Sequence, residues 1–249
     1  MHAAHEIREA LSQVAQLRQS ACSAEPLGLA LLAVKQLQAQ RFVGTYADLL
    51  ANPTFAPSAR FFLEELYSAK DYSERDAQFS RIAGALERTF PASVIATVLT
   101  LTRLHLQTEQ LDLAMAQQWR DGDAQLSPAA RYLLAWRWVN QRAARQWQLA
   151  SVLEIGQTLG HLTRKPGLRL LLKMMRGPAE LAGLGALHGF LESGFDHFSG
   201  MAKSGNVNTF LDIIAQRESG WITRLSDASF VTCETELTRT LGFAPRKDG

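Results

Sequence analysis

The chain predicts an all-α protein, and three observations carry that prediction. Apolar residues recur at i, i+3, i+4 and i+7 almost from end to end. No segment sustains the period-2 alternation of a half-buried strand. Proline falls repeatedly where a helix begins, as in Glu25-Pro26, Ser127-Pro128 and Lys165-Pro166, positions at which its missing N–H costs nothing. The expected architecture is a multi-helix, orthogonal or bundle-like single domain of about eight to ten helices. It covers residues 1–240, with 241–249 as a loose tail.

Residues 3–21 place Ile7, Leu11, Val14 and Leu17 at helical spacing. A second helix follows Glu25-Pro26 and carries Leu27, Leu31, Val34 and Leu37 on one face. Together they predict a hairpin over residues 1–43, able to stand as a semi-independent arm. A short segment at Tyr46–Ala51 stops at Asn52-Pro53, a turn signal.

The stretch Arg60–Ile82 holds the densest mix of aromatic and charged residues. Its first helix starts at Pro57 and buries Ala59, Phe62, Leu63 and Leu66, with Phe61 and Tyr67 widening the stripe. Ser68-Ala69-Lys70-Asp71 breaks the period. Ser73 with Asp76 has the form of a capping box, and Phe79, Ile82, Ala83, Leu86 and Phe90 follow as the next buried face. The turn between these two apolar stripes is expected to set how two core helices cross.

Pro91 opens a helix reaching to about Trp119, with Ile95, Val98, Leu99, Thr102 and Leu106 on one face. Ser127-Pro128 caps the next, which holds Tyr132, Leu133, Trp136, Val139 and Trp147, bends near Gln141–Arg145 and continues to Gly160. A short helix carries Leu168, Leu171, Leu172 and Met175 and is expected to end at Arg176-Gly177-Pro178. A long one then fits Pro178–Phe198 and ends at Gly200, with Gly183 and Gly185 inside it permitting close packing. The last, from Asn208, carries Phe210, Ile213, Ile214 and Trp221. Beyond Asp227, Phe230–Cys233 reads as either helix or short strand.

Apolar residues make up 47% and charged residues 20%, too apolar for a disordered chain. Cys22 and Cys233 lie far apart with no CxxC or Cys/His spacing, which argues against a zinc site or disulfide framework and suits a reducing cytoplasm. The N-terminal residues lack the apolar core of a signal peptide, and no apolar run approaches the roughly 18–20 residues that span a bilayer. No membrane partner is expected. The net charge of +2 hides a basic block. Residues 1–130 hold 11 Lys/Arg against 14 Asp/Glu, residues 131–176 hold 9 against 1, and residues 177–249 hold 6 against 9.

Three constellations can carry function. His105 with Glu109, and His188 with Glu192 and Asp196, stack at four-residue spacing along helix faces, the geometry a metal in a bundle needs. This loosely resembles the core helices of haem-oxygenase-like diiron oxidases. The Glu-x-x-His pairs of ferritin-like proteins are absent, however, and His197 falls out of register with His188. The bland alternative is a hydrogen-bonded pair beside an apolar stripe. No cofactor is predicted, though a metal, or a haem on His105 or His161, stays open.

The second constellation is the basic block, where Arg164, Lys165, Arg169 and Lys173 beside a helix N-terminus suit an anion. Interleaved Trp136, Trp138 and Trp147 extend that reading to nucleic acid, the less favoured partner because net charge is near neutral. Charge pairing within the fold is the stronger reading. The third is a charge network of Arg60, Glu64, Arg75 and Asp76, read as structural and expected to find its partners among the arginines of 131–176, with a docking surface for another protein as its functional alternative. No nucleotide-binding glycine motif and no GxSxG elbow is present.

The runs FFLEELYSAKDYSERDAQFSRI and LTRKPGLRLLLKMMRGPAELAGLGALHGFLESGF resemble an uncharacterised family of bacterial all-helical proteins, over roughly residues 40–220. The resemblance implies a helical fold and no activity, and no catalytic residue carries over from it. The expected function is a non-catalytic, protein-binding or self-associating helical module. A helical-bundle metal or haem enzyme or sensor is the first alternative, and phosphate or nucleic-acid binding the second.

Overall fold

The computed structural model describes residues 2–65, 70–89, 92–165 and 167–243, without the side chains of Thr89 and Ser93. In chain order the helices are α1 (His2–Cys22), α2 (Glu25–Thr45), α3 (Ala47–Ala51), α4 (Ala56–Glu65), α5 (Ser73–Thr89) and α6 (Ala92–Asp121). They continue as α7 (Pro128–Val139), α8 (Arg142–Leu162), α9 (Leu168–Leu181), α10 (Gly185–Lys203), α11 (Val207–Asp227) and α12 (Phe230–Thr240). Among the described residues there is no strand. None of their helices is long and apolar enough to cross a membrane.

The axis of the fold is α6. Its 30 residues span about 45 Å, and α1, α2, α5, α7 and α8 all pack along it. Near its start, Val98 and Leu99 meet Ile7 and Leu11 of α1 and Ala83 of α5. Near its end, Met115, Ala116 and Trp119 join Val34, Leu133, Trp221 and Leu237 in the largest core. A third, aromatic core closes Phe42 and Tyr46 against Phe61, Phe62, Phe198 and Phe210, with Phe62 edge-on to Phe198 at 5.8 Å. The hairpin of α1 and α2 therefore lies along the central helix. One contact there is exceptionally close: a Cβ on Gly44 of α2 would lie 1.8 Å from the Thr240 carbonyl oxygen of α12.

The halves of Arg60–Ile82 part company. Helix α4 enters the aromatic core and α5 the α1–α6 core, and both pack against α10. Leu66 and Tyr67, expected in the first stripe, and Ser68-Ala69 of the turn lie outside the described residues, as do Phe90 and the starts at Pro91 and Pro166.

Several expected boundaries move, each for a local reason. Twelve helices appear among the described residues, more than expected, partly because the chain breaks between α7 and α8. Asn140 takes φ 48 and ψ 44, a left-handed conformation that asparagine tolerates. Helix α9 does not stop at Gly177-Pro178 but runs through them to Leu181, since Ala179 is buried and the preceding turn is tied to α10 by Arg176. It ends in a Schellman turn: Gly183 at φ 66 donates to Glu180 O, and Leu184 N–H to Ala179 O at 2.8 Å. Gly183 thus separates two helices instead of easing packing inside one, and α10 runs from Gly185 to Lys203.

The ambiguous Phe230–Cys233 is helical because the Ser229 hydroxyl accepts the Thr232 N–H and Cys233 and Leu237 are buried one turn apart. The capping box at Ser73 is absent. Asp71 accepts the Ser73 N–H at 2.9 Å, and Asp76 turns inward.

Candidate functional site

The candidate residues collect in two places. The first is a polar seam within the packing of α1, α2, α5 and α6. On α6, Thr102, His105, Glu109 and Asp112 recur at i, i+3, i+7 and i+10, one face of a helix turned toward neighbours instead of water. Arg18 of α1 lies in the middle. Its Nη1 donates to Asp76 Oδ2 at 2.8 Å and its Nη2 to Glu109 Oε1 at 2.8 Å. His105 Nε2 donates to the same Asp76 oxygen at 2.9 Å. Lys35 of α2 reaches the other Glu109 oxygen at 2.9 Å.

Burial pushes both carboxyls up, but the hydrogen bonds and charges around them outweigh it and hold them below the usual carboxylate range. His105, Arg18 and Arg75 act on Asp76, and Lys35 and Arg18 on Glu109. The Asp76 and Glu109 oxygens thus already receive guanidinium and ammonium donors, and the Nε2 of His105 is committed to Asp76. The chemistry of this set is that of a structural clamp.

Two further buried groups continue the seam. Asp112 accepts from Gln38 Nε2 at 3.0 Å, and burial pushes its carboxyl above the usual range despite Lys35 and Arg145 nearby. Arg41 of α2 grips Glu218 of α11 through both carboxylate oxygens, at 3.1 and 2.8 Å, and the Tyr46 hydroxyl donates to the same carboxylate at 2.8 Å.

The second place is the pairing of α9 with α10. Here two of the expected metal ligands, Asp196 and Glu192, are neutralised by arginines of α9, one of them the anion-binding candidate Arg169. Arg169 donates to Asp196 at 2.8 Å and Arg176 to Glu192 at 2.6 Å. His188 donates from Nε2 to the Leu172 carbonyl at 2.8 Å, and its Nδ1 stands 3.9 Å from Glu192. Among the described residues no three His, Cys, Asp or Glu side chains converge as a metal would require.

The four cations expected at one anion site are also dispersed. Arg164 points to the Ala202 carbonyl, Lys165 and Lys173 are exposed, and α9 begins at Leu168 behind Gly167. Trp138, at the end of α7, and Trp147 are exposed, while Trp136 stacks on Arg145.

What α9 does present is an apolar outer face. Among the described helices of ten residues or more it has the sharpest division between apolar and polar sides, and it packs mainly on α10. Leu170, Leu171, Met174, Met175 and Leu181 are 48–93% exposed. Together they leave on the order of 600 Å² of mostly apolar surface in water, the upper end for a monomer.

The charge network expected around Arg60–Ile82 is rearranged. Arg75 lies between the rings of Tyr72 and Phe190, 4.1 and 4.6 Å from their centroids, with Glu65 and Asp76 each 3.6 Å away. Glu64 takes part through its carbonyl, which accepts the Tyr72 hydroxyl, while Arg60 is exposed outside the group. Among the described residues Arg75 and Asp76 find partners in Glu65, Tyr72, Phe190, Arg18 and His105, not in the arginines of 131–176. Those are spent on helix C-termini (Arg131 on Trp119 O, Arg137 on Leu225 O) and on nearby acids, such as Asp227 with Arg142.

Two cavities border these groups. One of about 520 Å³, lined mainly by the aliphatic parts of Lys35, Ala39, Val43, Gly44, Leu63 and Thr240, lies along α2. One of about 220 Å³ surrounds Arg75 beside Phe190 and Ser193.

Sequence reasoning passed over Arg18, Lys35, Gln38, Arg41, Asp112 and Glu218. The available signal was polar residues at core spacing: Val34, Gln38 and Arg41 sit at i, i+4 and i+7 on the buried side of α2.

The search of curated proteins and that of solved structures each returned no match. A family model does match, across residues 17–230, and its description is Domain of unknown function (DUF8198). The match takes in α2 to α11, with the polar seam, the α9–α10 pairing and the exposed helix face. By this match over most of its length, the chain belongs to the DUF8198 family, whose activity is uncharacterised.

Proposed function

We propose that the protein is a non-catalytic association module that docks through the outer face of α9. The observation that carries this reading is the row of five exposed Leu and Met side chains on a helix held chiefly from one side. Leaving that row in water costs roughly 25 cal/mol per Å², which covering it returns. The charges nearby support the same reading, since Arg169, Arg176, Glu192 and Asp196 satisfy one another. The proposed setting is a reducing cytoplasm, which suits two free cysteines, Cys22 exposed and Cys233 buried.

The test is the pair of substitutions Leu170→Glu and Met174→Glu in a tagged copy expressed beside an untagged one in the native cells. Both sites are more than 60% exposed, so circular dichroism should stay unchanged. The wild type is expected to carry along a partner, or the untagged copy, that the variant loses. Identical co-purifying material from both would sink the reading.

A further inference from the structure

We infer that the occupant of this face is a second copy of the chain, bound as an antiparallel two-fold pair of α9 helices. The inference rests on the docking reading above and specifies its partner. Leu170, Met174, Gly177 and Leu181 follow one another at spacings of four, three and four. That is the seam of a coiled coil, two adjacent lines of a helix surface that a facing helix can cover. Gly177 has nothing within 4 Å of where its Cβ would be, so a second helix can approach closely there.

The flanks of the seam decide the orientation. The positions preceding Met174 and Leu181 are Lys173 and Glu180, both exposed and two turns apart on one edge. The opposite edge, after Leu170 and Gly177, carries Leu171 and Pro178. In a parallel pair each charged edge would face the apolar edge of its neighbour. In an antiparallel pair like edges meet, so Lys173 lies against Glu180 of the partner subunit and Glu180 against the partner's Lys173. Leu171 then lies against the partner's Pro178. One register satisfies both charge pairs and buries both apolar edges.

Area and charge favour this occupant over a lipid surface. Two patches on the order of 600 Å² bring about 1,200 Å² together, the lower bound for a specific protein interface. Beside the patch Arg169 and Arg176 are paired with Asp196 and Glu192, and on the seam's edge Lys173 is matched by Glu180. Cations already paired in this way are poorly placed to hold an anionic membrane, whereas the Lys173 and Glu180 edge suits an identical edge running the other way.

Sedimentation equilibrium on the purified full chain tests the pairing, with circular dichroism to certify each variant as folded. The wild type should sediment as a dimer in equilibrium with monomer, and Leu170→Glu as a monomer. Lys173→Glu and Glu180→Lys should each weaken the dimer by roughly tenfold, because each puts like charges opposite one another twice. The double exchange Lys173→Glu with Glu180→Lys should restore it.

A wild type that stays monomeric at roughly 100 µM overturns the pairing. If that monomer still holds a different protein through α9 in the co-purification test, docking stands and self-pairing falls. If it holds nothing, both fall. A dimer indifferent to Leu170→Glu, or a double exchange as weak as either single change, also overturns the pairing. So does α9-dependent flotation of the monomer with vesicles containing phosphatidylserine.

Discussion

Replacing Glu109 with glutamine removes one negative charge from the seam while keeping the side chain's shape. In the native protein that carboxylate, 5% exposed, receives Arg18 and Lys35 at 2.8 and 2.9 Å. In the Glu109→Gln variant Lys35 keeps at most one neutral acceptor, and Arg18 keeps Asp76 alone. Breaking a fully buried pair costs about 3–5 kcal/mol. Arg18 and Lys35 are each about one-fifth exposed, so water screens part of the loss and the expected cost is about 2–3 kcal/mol. For a chain of this size that corresponds to a fall of roughly 4–12 °C in Tm.

The effect must depend on pH in one direction. The Glu109 carboxyl titrates below its ordinary value in the folded protein, so its stabilising contribution is complete above that ordinary value. It is lost as pH falls through the lower, folded value. The gap between wild type and Glu109→Gln in urea midpoint should therefore be constant from pH 7 to about 5 and close toward pH 3. A gap under about 0.5 kcal/mol at pH 7, or one unchanged at pH 3, would refute the clamp.

Three other substitutions read different features. Asp112→Asn keeps the acceptor for Gln38 and removes a carboxyl that burial pushes up, so it should stabilise the protein at pH 7, by about 1 kcal/mol. The gain should shrink as pH falls and the native carboxyl takes its proton, and a lower Tm at pH 7 would contradict this. Arg41→Met should cost about 3–5 kcal/mol in urea unfolding because it strands Glu218, and adding Glu218→Leu should recover much of it. Gly44→Ala sets a methyl against the Thr240 carbonyl and should cost at least 2–3 kcal/mol, roughly, by the same measurement, with faster amide exchange in α12.

The sequence by itself determined that this protein is helical and where most of its helices lie. Periodicity and caps are local: Ser127 Oγ bonds Ala130 N–H three residues away, and Pro57 lies in the first turn of α4. It also exposed the four-residue spacing of His105 and Glu109, though not what lies against them. Tertiary structure alone decided which charges meet. Arg18 reaches Glu109 across 91 positions and Arg41 reaches Glu218 across 177, and nothing local marks such pairs. The same holds for α9, whose Leu and Met pattern reads as core in the sequence. Packing against α10 covers only its Leu172 and Ala179 side, because Arg169 and Arg176 tie that side down, and the rest of the stripe is left facing water. Periodicity fixes where a helix puts its apolar side chains. Whether a neighbour covers them depends on how distant segments pack.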